Sequence, residues 1–278
     1  MPMPSLPAKV LIFISLCIMK LLVSPHLILI IFAKINSCMN GSIVIIPTYN
    51  EIENIESIIR AVFALEKEFH VLIVDDNSPD KTADKVRELQ QEFSEQLFLE
   101  VRLKKAGLGT AYVHGFKWAL NHNYEYIIEM DADFSHNPND LGKLQDAVAN
   151  GSDLSIGSRY VTGVNVVNWP LSRVLLSYFA SVYVRLITGM KIMDTTAGFV
   201  CYRRNVLEAI NLDKIKFVGY AFQIEMKYRA WAKHFKIVEV PVIFTDRTKG
   251  QSKMSGSIIK EAVFGVLSLR LKKLLNRL

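Results

Sequence analysis

The sequence predicts a single α/β domain built on a mainly parallel central sheet and followed by a C-terminal amphipathic helix. Three observations carry this expectation. From Ser42 onward, short apolar or β-branched runs alternate with stretches at helical spacing, as in a sheet flanked by helices. Several of the runs end in acidic or polar residues, and open α/β sheets bind ligands at the carboxyl ends of their strands. Of the 278 residues 50% are apolar, enough for one substantial core.

The elements follow in order. Residues 42–46 are β-branched and bounded by Pro47, which makes a first strand. Residues 54–65 carry Ile55, Ile58, Ile59, Val62 and Phe63 at helical spacing. Residues 71–74 form a second buried strand that runs straight into Asp75-Asp76. The charged stretch 80–93 reads as a surface helix capped by Asp80. A third strand at 97–103 leads into the Gly107/Gly109 loop and a helix at 110–121. A fourth strand, 126–130, delivers Asp131-Ala132-Asp133. Residues 138–149 are helical, 154–156 a fifth strand and 171–187 a long apolar helix. Further strands at 198–202 and 237–240 enclose a helix at 222–231. No internal repeat or low-complexity stretch is visible.

Composition narrows the function. Charged residues make up 22%, so disordered and low-complexity classes are out. The net charge of +6 is uneven: residues 1–38 hold three lysines and no acid, leaving 30 basic and 27 acidic residues from Met39 on. A nucleic-acid footprint would show clustered basic stripes, so no nucleic-acid partner is expected. Three widely spaced cysteines suggest neither a disulfide framework nor a zinc site. Residues 10–33 are apolar apart from Lys20, Pro25, His26 and two serines, long enough to span a bilayer. They read as a transmembrane anchor, as a cleaved signal peptide, or as a leader upstream of a true start at Met39. The expected division is therefore 1–38 as a hydrophobic N-terminal segment, 39–257 as the catalytic domain and 258–278 as the terminal helix.

Absent motifs count too. There is no Walker A sequence and no Gly-x-Ser-x-Gly elbow. The Gly107-Leu108-Gly109-Thr110-Ala111-Tyr112 loop puts tyrosine where a dinucleotide fingerprint needs its third glycine, and it follows the third strand, not the first. Among present motifs, Asp76-Asn77-Ser78-Pro79-Asp80 reads either as a solvated turn capping a helix or as part of a site. Two carboxylates two residues apart at a strand end, Asp131 and Asp133, repel one another unless a cation lies between them. Hard carboxylate oxygens suit Mg²⁺ or Mn²⁺ that also takes phosphate oxygens.

The runs Ile45-Ile46-Pro47-Thr48-Tyr49-Asn50-Glu51 and Val74-Asp75-Asp76-Asn77-Ser78-Pro79-Asp80 resemble glycosyltransferase family 2, inverting enzymes of the GT-A fold. The Gly107–Tyr112 loop, Met130-Asp131-Ala132-Asp133-Phe134-Ser135-His136, Gly157-Ser158-Arg159-Tyr160, Asp246-Arg247 and Gly250-Gln251-Ser252-Lys253 resemble its dolichyl- and polyprenyl-phosphate mannosyltransferase branch. The resemblance covers about residues 42–257. Asn77 and Lys81 stand where that branch more often has glycine.

The resemblance implies a Rossmann-like GT-A domain and assigns roles by position. Pro47, Tyr49, Glu51, Val74 and Asp76 would line the nucleoside pocket. Asp131, Ala132 and Asp133 would surround the metal and the donor diphosphate, with Asp131 and Asp133 as metal ligands. Arg247 and Lys253 would close over the diphosphate. Arg159, Arg173 and Ser177 would hold the lipid acceptor's phosphate. Asp133, Arg159, Arg247 and Lys253 form the expected catalytic set. Taken alone, each basic residue also reads as a surface ion pair. The implied substrates are GDP-mannose and a polyprenyl or dolichyl phosphate, the implied place the cytoplasmic face of a membrane, with a membrane subunit as a further partner. The alternatives are a family 2 enzyme with another donor, such as UDP-glucose, and a catalytically silent nucleotide-sugar-binding subunit. His136 is the histidine nearest the acids and reads as a stabiliser of their loop. The tail 258–278, with Lys260, Arg270, Lys272, Lys273 and Arg277 against one acid, is either a basic membrane-interface helix or an ordinary packing helix.

Overall fold

Strands β1 (Ser42–Thr48), β2 (His70–Asp75), β3 (Leu97–Val101) and β4 (Tyr126–Glu129) pair in parallel in the order β3-β2-β1-β4. The computed structural model describes residues 41–219, 221–246 and 256–275. Beyond β4 the sheet continues through β7 (Val200–Arg203), β5 (Leu154–Ser158) and β8 (Ile237–Pro241). β7 is antiparallel to both neighbours, while β5 and β8 are parallel. A two-stranded patch, β6 (Val166–Val167) with β9 (Phe244–Thr245), lies apart from the main sheet. This is the expected α/β domain with a mostly parallel sheet.

Both faces of the sheet are covered, which is why its strands are continuously apolar rather than alternating. On one face Ile43, Ile45, Leu72 and Val74 pack with Tyr112, Phe116 and Ala119 of α3 (Leu108–Asn121) and with α7 (Ala221–Ala232). On the other, Val44, Ile46, Val71 and Ile73 meet α1 (Ile55–Phe63), α2 (Thr82–Leu89) and α4 (Leu141–Ala149). The remaining helices are α5 (Leu171–Thr188), the short α6 (Arg204–Ala209) and α8 (Gly256–Leu274), with α8 packed on α5 and α7.

The departures from expectation have local causes. The helix expected at 80–93 is only α2, because Lys81 takes a left-handed conformation (φ 70°) and the Asp80 carboxylate accepts from the Thr82 and Ile52 amides. The stretch 138–149 opens with a 3₁₀ turn at Pro138–Asp140 before α4. The apolar positions expected on the C-terminal helix (259, 263, 266, 267, 271, 274 and 278) divide: Val266 is buried, whereas Val263, Leu267, Leu271 and Leu274 are exposed. The N-terminal segment 1–38 and the boundary at Met39 lie outside the described residues.

Candidate active site

The parallel strands β1, β2 and β4, together with β5, end at one edge of the sheet, and the candidate site is built there. The loops after β1 and β2 are tied together: the Asn50 amide donates to Ser78 Oγ (3.0 Å) and the Glu51 amide to Thr82 Oγ1 (3.1 Å). Asp75 is the structural member of its pair. It is fully buried and accepts from Thr48 Oγ1 (2.8 Å), the Ser78 amide (2.8 Å) and Ser78 Oγ (2.6 Å). Asp76, at the mouth of the edge, accepts from Arg102 Nε at 2.6 Å, and Arg102 Nη1 also donates to Thr110 Oγ1 at 2.8 Å. Tyr49 lies beside them, with Lys105 Nζ 4.2 Å from its ring centre. Pro47 and Glu51 are half-buried near Tyr49, whereas the Val74 side chain belongs wholly to the core, leaving only its backbone to meet a ligand. Arg102 was not legible in the sequence: it follows β3 by one residue, but nothing in its neighbourhood marks it as the partner of a residue 26 positions away.

At the end of β4, Asp131 is half-buried and Asp133 is 9% exposed. Asp131 Oδ1 accepts from Tyr112 OH (3.2 Å), and Asp133 Oδ1 from the Ser135 amide (3.0 Å), so both carboxylates are oriented by the chain. Ala132 is buried between them. His136 folds back and accepts the Asp131 amide on Nδ1 at 3.1 Å, with its ring stacked on Phe199 at 4.8 Å. Burial pushes the His136 pKa down, against the pull of Asp131 and Asp133. The sequence expectation that His136 stabilises the acidic loop agrees with this bond.

Arg159 follows β5 directly. Its Nε and Nη2 bind Asp194 side-on (2.6 Å each), its Nη2 also donates to Thr196 Oγ1 (2.8 Å), and its amide bonds Asp194 as well (3.0 Å). Burial works against the charge on Asp194, but the Arg159 guanidinium overrides it and holds the carboxyl below its ordinary range. Glu239 of β8 holds the segment from the other side, accepting the Met193 (2.7 Å) and Asp194 (2.9 Å) amides. Trp169 and Phe244 cover Arg159 at 5.4 and 5.5 Å. Arg173, on the first turn of α5, lies over Trp169 at 4.0 Å and pairs with Asp246 at 2.8 Å. Ser177 follows one helical turn later.

These groups face one cavity of about 310 Å³. Asp131, Asp133, Ser135, His136, Arg159, Arg173 and Ser177 all line it. Leu176, Phe179, Tyr183 and Val184 of α5, with Ile224 and Val263, make its apolar lining. The cavity thus brings together both acids and the expected acceptor triad, while Pro47, Tyr49, Glu51 and Asp76 lie outside its lining. Arg247 and Lys253 lie outside the described residues. Among the described residues no three or more His, Cys, Asp or Glu side chains gather into a metal-binding group. Two hard carboxylates without a third protein ligand fit a cation such as Mg²⁺ that completes its shell with phosphate oxygens and water. Behind the cavity, Glu129 and Lys227 are fully buried. Burial pushes the Glu129 carboxyl up to about 8 and the Lys227 ammonium down to about 8. Lys227 Nζ donates to the Ala197 carbonyl (2.5 Å), which ties α7 to the segment that carries Asp194 and Thr196.

The chain can now be set beside known proteins. A family model described as Glycosyl transferase family 2 matches residues 43–210. The chain is 48% identical over 236 residues to Polyprenol monophosphomannose synthase of Mycolicibacterium smegmatis, covering 85% of this chain and 89% of that protein. It is 46% identical over 222 residues to Undecaprenyl-phosphate mannosyltransferase of Micrococcus luteus, covering 80% and 90%. Among solved structures, glucosyl-3-phosphoglycerate synthase from Mycobacterium tuberculosis, in complex with Mn²⁺, UDP and glucosyl-3-phosphoglycerate, superposes with a TM-score of 0.58 at 15% identity, covering 85% of this chain and 81% of that one.

Proposed function

The chain belongs to glycosyltransferase family 2, and from that premise we propose that it transfers mannose from GDP-mannose to a polyprenyl or dolichyl phosphate, with inversion at the sugar. One observation carries the reading furthest: a single cavity is lined by two carboxylates, two guanidiniums and a run of apolar side chains from α5. That layout suits a donor diphosphate, an acceptor phosphate and a lipid chain.

In this reading the acceptor phosphate is the nucleophile. A phosphate monoester has a second pKa near 6 and is largely dianionic at neutral pH, so no protein base is needed. Arg159, Arg173 and Ser177 hold two of its oxygens and aim the third at the anomeric carbon. The new C–O bond forms as the bond to the donor's β-phosphate breaks, and the electron pair leaves with GDP. Asp131 and Asp133 would hold a divalent cation, Mg²⁺ or Mn²⁺, which would supply positive charge against the diphosphate. By the family resemblance, Arg247 and Lys253 would add positive charge to the diphosphate. Trp169 and Phe244 shield the Arg159 side from water, which strengthens its hold on phosphate. Pro47, Tyr49, Glu51, Asp76 and the Val74 backbone receive the nucleoside, with Arg102 fixing the Asp76 carboxylate.

The membrane fits the same reading. α5 is long and apolar enough to cross a bilayer by length and composition, and only 17% of it is buried. Leu171, Leu175, Leu176 and Phe179 of α5 and Phe264, Leu267 and Leu271 of α8 are exposed apolar side chains on two helices that pack together. We read them as the surface that meets the lipid from the cytoplasmic side, with residues 1–38 as a further anchor. The deciding experiment is mass spectrometry of the lipid products formed from a polyprenyl phosphate with GDP-mannose or UDP-glucose in parallel. A mannosylated lipid phosphate from GDP-mannose is expected. A hexosylated product from UDP-glucose alone would overturn the donor assignment, and no product from either would overturn the reaction.

A further inference from the structure

Between the acids and Arg159 the cavity wall carries a notch that the reading above leaves unassigned. It lies at Gly198, which has no side chain to fill it. A Cβ there would sit 3.6 Å from His136 Cε1, 3.7 Å from Gln223 Nε2 and 4.0 Å from His136 Nε2. His136, Gly198 and Gln223 all line the cavity.

The two nitrogens at this notch are donors, and their neighbours fix them as such. His136 Nδ1 accepts the Asp131 amide, so its lone pair is engaged and the ring's hydrogen is on Nε2. Phe199 stacks on one face of the ring and Phe244 meets it edge-on at 5.5 Å, which holds its direction. Gln223 donates one Nε2 hydrogen to Glu129 (2.6 Å) and accepts from Lys227 Nζ on Oε1 (3.4 Å). That sets its amide orientation and leaves the second Nε2 hydrogen. Two oriented, neutral N–H donors at a small notch call for an oxygen acceptor. The place identifies the oxygen. His136 bonds the Asp131 amide and packs on Phe244, which also has the Arg159 guanidinium at 5.5 Å, so the notch has both the acids and Arg159 for neighbours. What lies between a diphosphate and an attacking phosphate is the hexose in transit.

We propose that His136 Nε2 and Gln223 Nε2 hold one hydroxyl of the transferred sugar, and that Gly198 keeps the space for it. His136 is thereby a sugar-binding residue as well as a brace for Asp131. The inference rests on the mannosyl-transfer reading, and the wild-type product assay with GDP-mannose checks that reading before any variant is read.

The test crosses protein and substrate changes. His136→Asn keeps an acceptor for the Asp131 amide but removes the distal N–H. Gly198→Ala adds a methyl at ordinary contact distances, so the fold tolerates it while the notch fills. kcat/KM is measured with GDP-mannose and with GDP-mannose analogues each lacking one hydroxyl. In the wild type, one analogue should fall about three- to tenfold, the scale of a neutral hydrogen bond. In His136→Asn that particular analogue should perform within about twofold of GDP-mannose, and in Gly198→Ala it should be hurt less than the parent donor. Equal penalties in wild type and variants at every hydroxyl would overturn the proposal. So would a loss confined to KM for polyprenyl phosphate, since the donors would then be holding the acceptor.

Discussion

At the scale of single residues, Asp133 carries the sharpest expectation. Asp133→Asn removes one charge from the proposed cation site yet keeps an acceptor for the Ser135 amide. Transfer should fall about 10²–10³-fold, as when a transition state loses one electrostatic partner, with the melting temperature unchanged by calorimetry. A second expectation concerns pH. Because burial raises Glu129 to about 8, the folded chain keeps a proton that the unfolded chain releases between its ordinary pKa and 8. This stabilisation is complete below the unfolded value and is lost as pH rises through the folded one, at up to about 1.4 kcal/mol per pH unit. Glu129→Gln should flatten that slope in urea unfolding curves between pH 5 and 8. Both acids of the Asp131/Asp133 pair were legible in the sequence because they follow an apolar strand within four residues. Arg102, Asp194 and Gln223 were not, because each acts on a partner from another strand or helix and carries no local signature. The same adjacency rule could not separate Asp75 from Asp76, since only the hydrogen bonds of Thr48 and Ser78 show which one is structural.

Among elements, the turn between β2 and α2 shows a sequence departure with a physical cost. Asn77 and Lys81 stand where glycine is more usual in the relatives the sequence resembles, and both have positive φ (56° and 70°). Asparagine tolerates that region through local hydrogen bonding, but lysine has no such help. Lys81 is exposed, so Lys81→Gly should relieve strain without removing a buried contact and stabilise the fold by about 0.5–1 kcal/mol, after the entropy glycine loses on folding. Chemical denaturation of the two proteins would show it as a higher midpoint at equal slope. Helix periodicity predicted α1, whose apolar positions face a covered sheet, and the helices expected at 110–121 and 222–231 match α3 and α7 to within two residues. It overextended α2, whose ends are set by side-chain bonds to the backbone rather than by hydrophobic spacing. On α8, read either as a membrane-interface helix or as a packing helix, apolar residues serve two surfaces, one packed and the other exposed.

For the whole molecule, the exposed apolar rows on α5 and α8 make membrane binding a property that can be removed without touching the site. Leu267→Glu with Leu271→Glu places charges at positions 45% and 58% exposed. Binding to anionic vesicles in a sedimentation assay should weaken by about tenfold or more per leucine. Turnover of a short, water-soluble polyprenyl phosphate should stay near wild type. The order of the sheet was less legible than its strands, since β7 reads like any other apolar run and only its pairing reveals that it is reversed. That reversed strand also governs how the protein is made. β4 and β5 follow one another in the chain but do not touch in the sheet; β7, about forty residues later, enters between them. During synthesis the strands that carry Asp76 and Asp131 can pair early, whereas the strand ahead of Arg159 has no partner until β7 emerges. A chain stopped before residue 200 would hold β4 and β5 with no strand to join them. The reversed strand is the stitch that ties the segment ahead of Arg159 to the part of the sheet that carries Asp76 and Asp131.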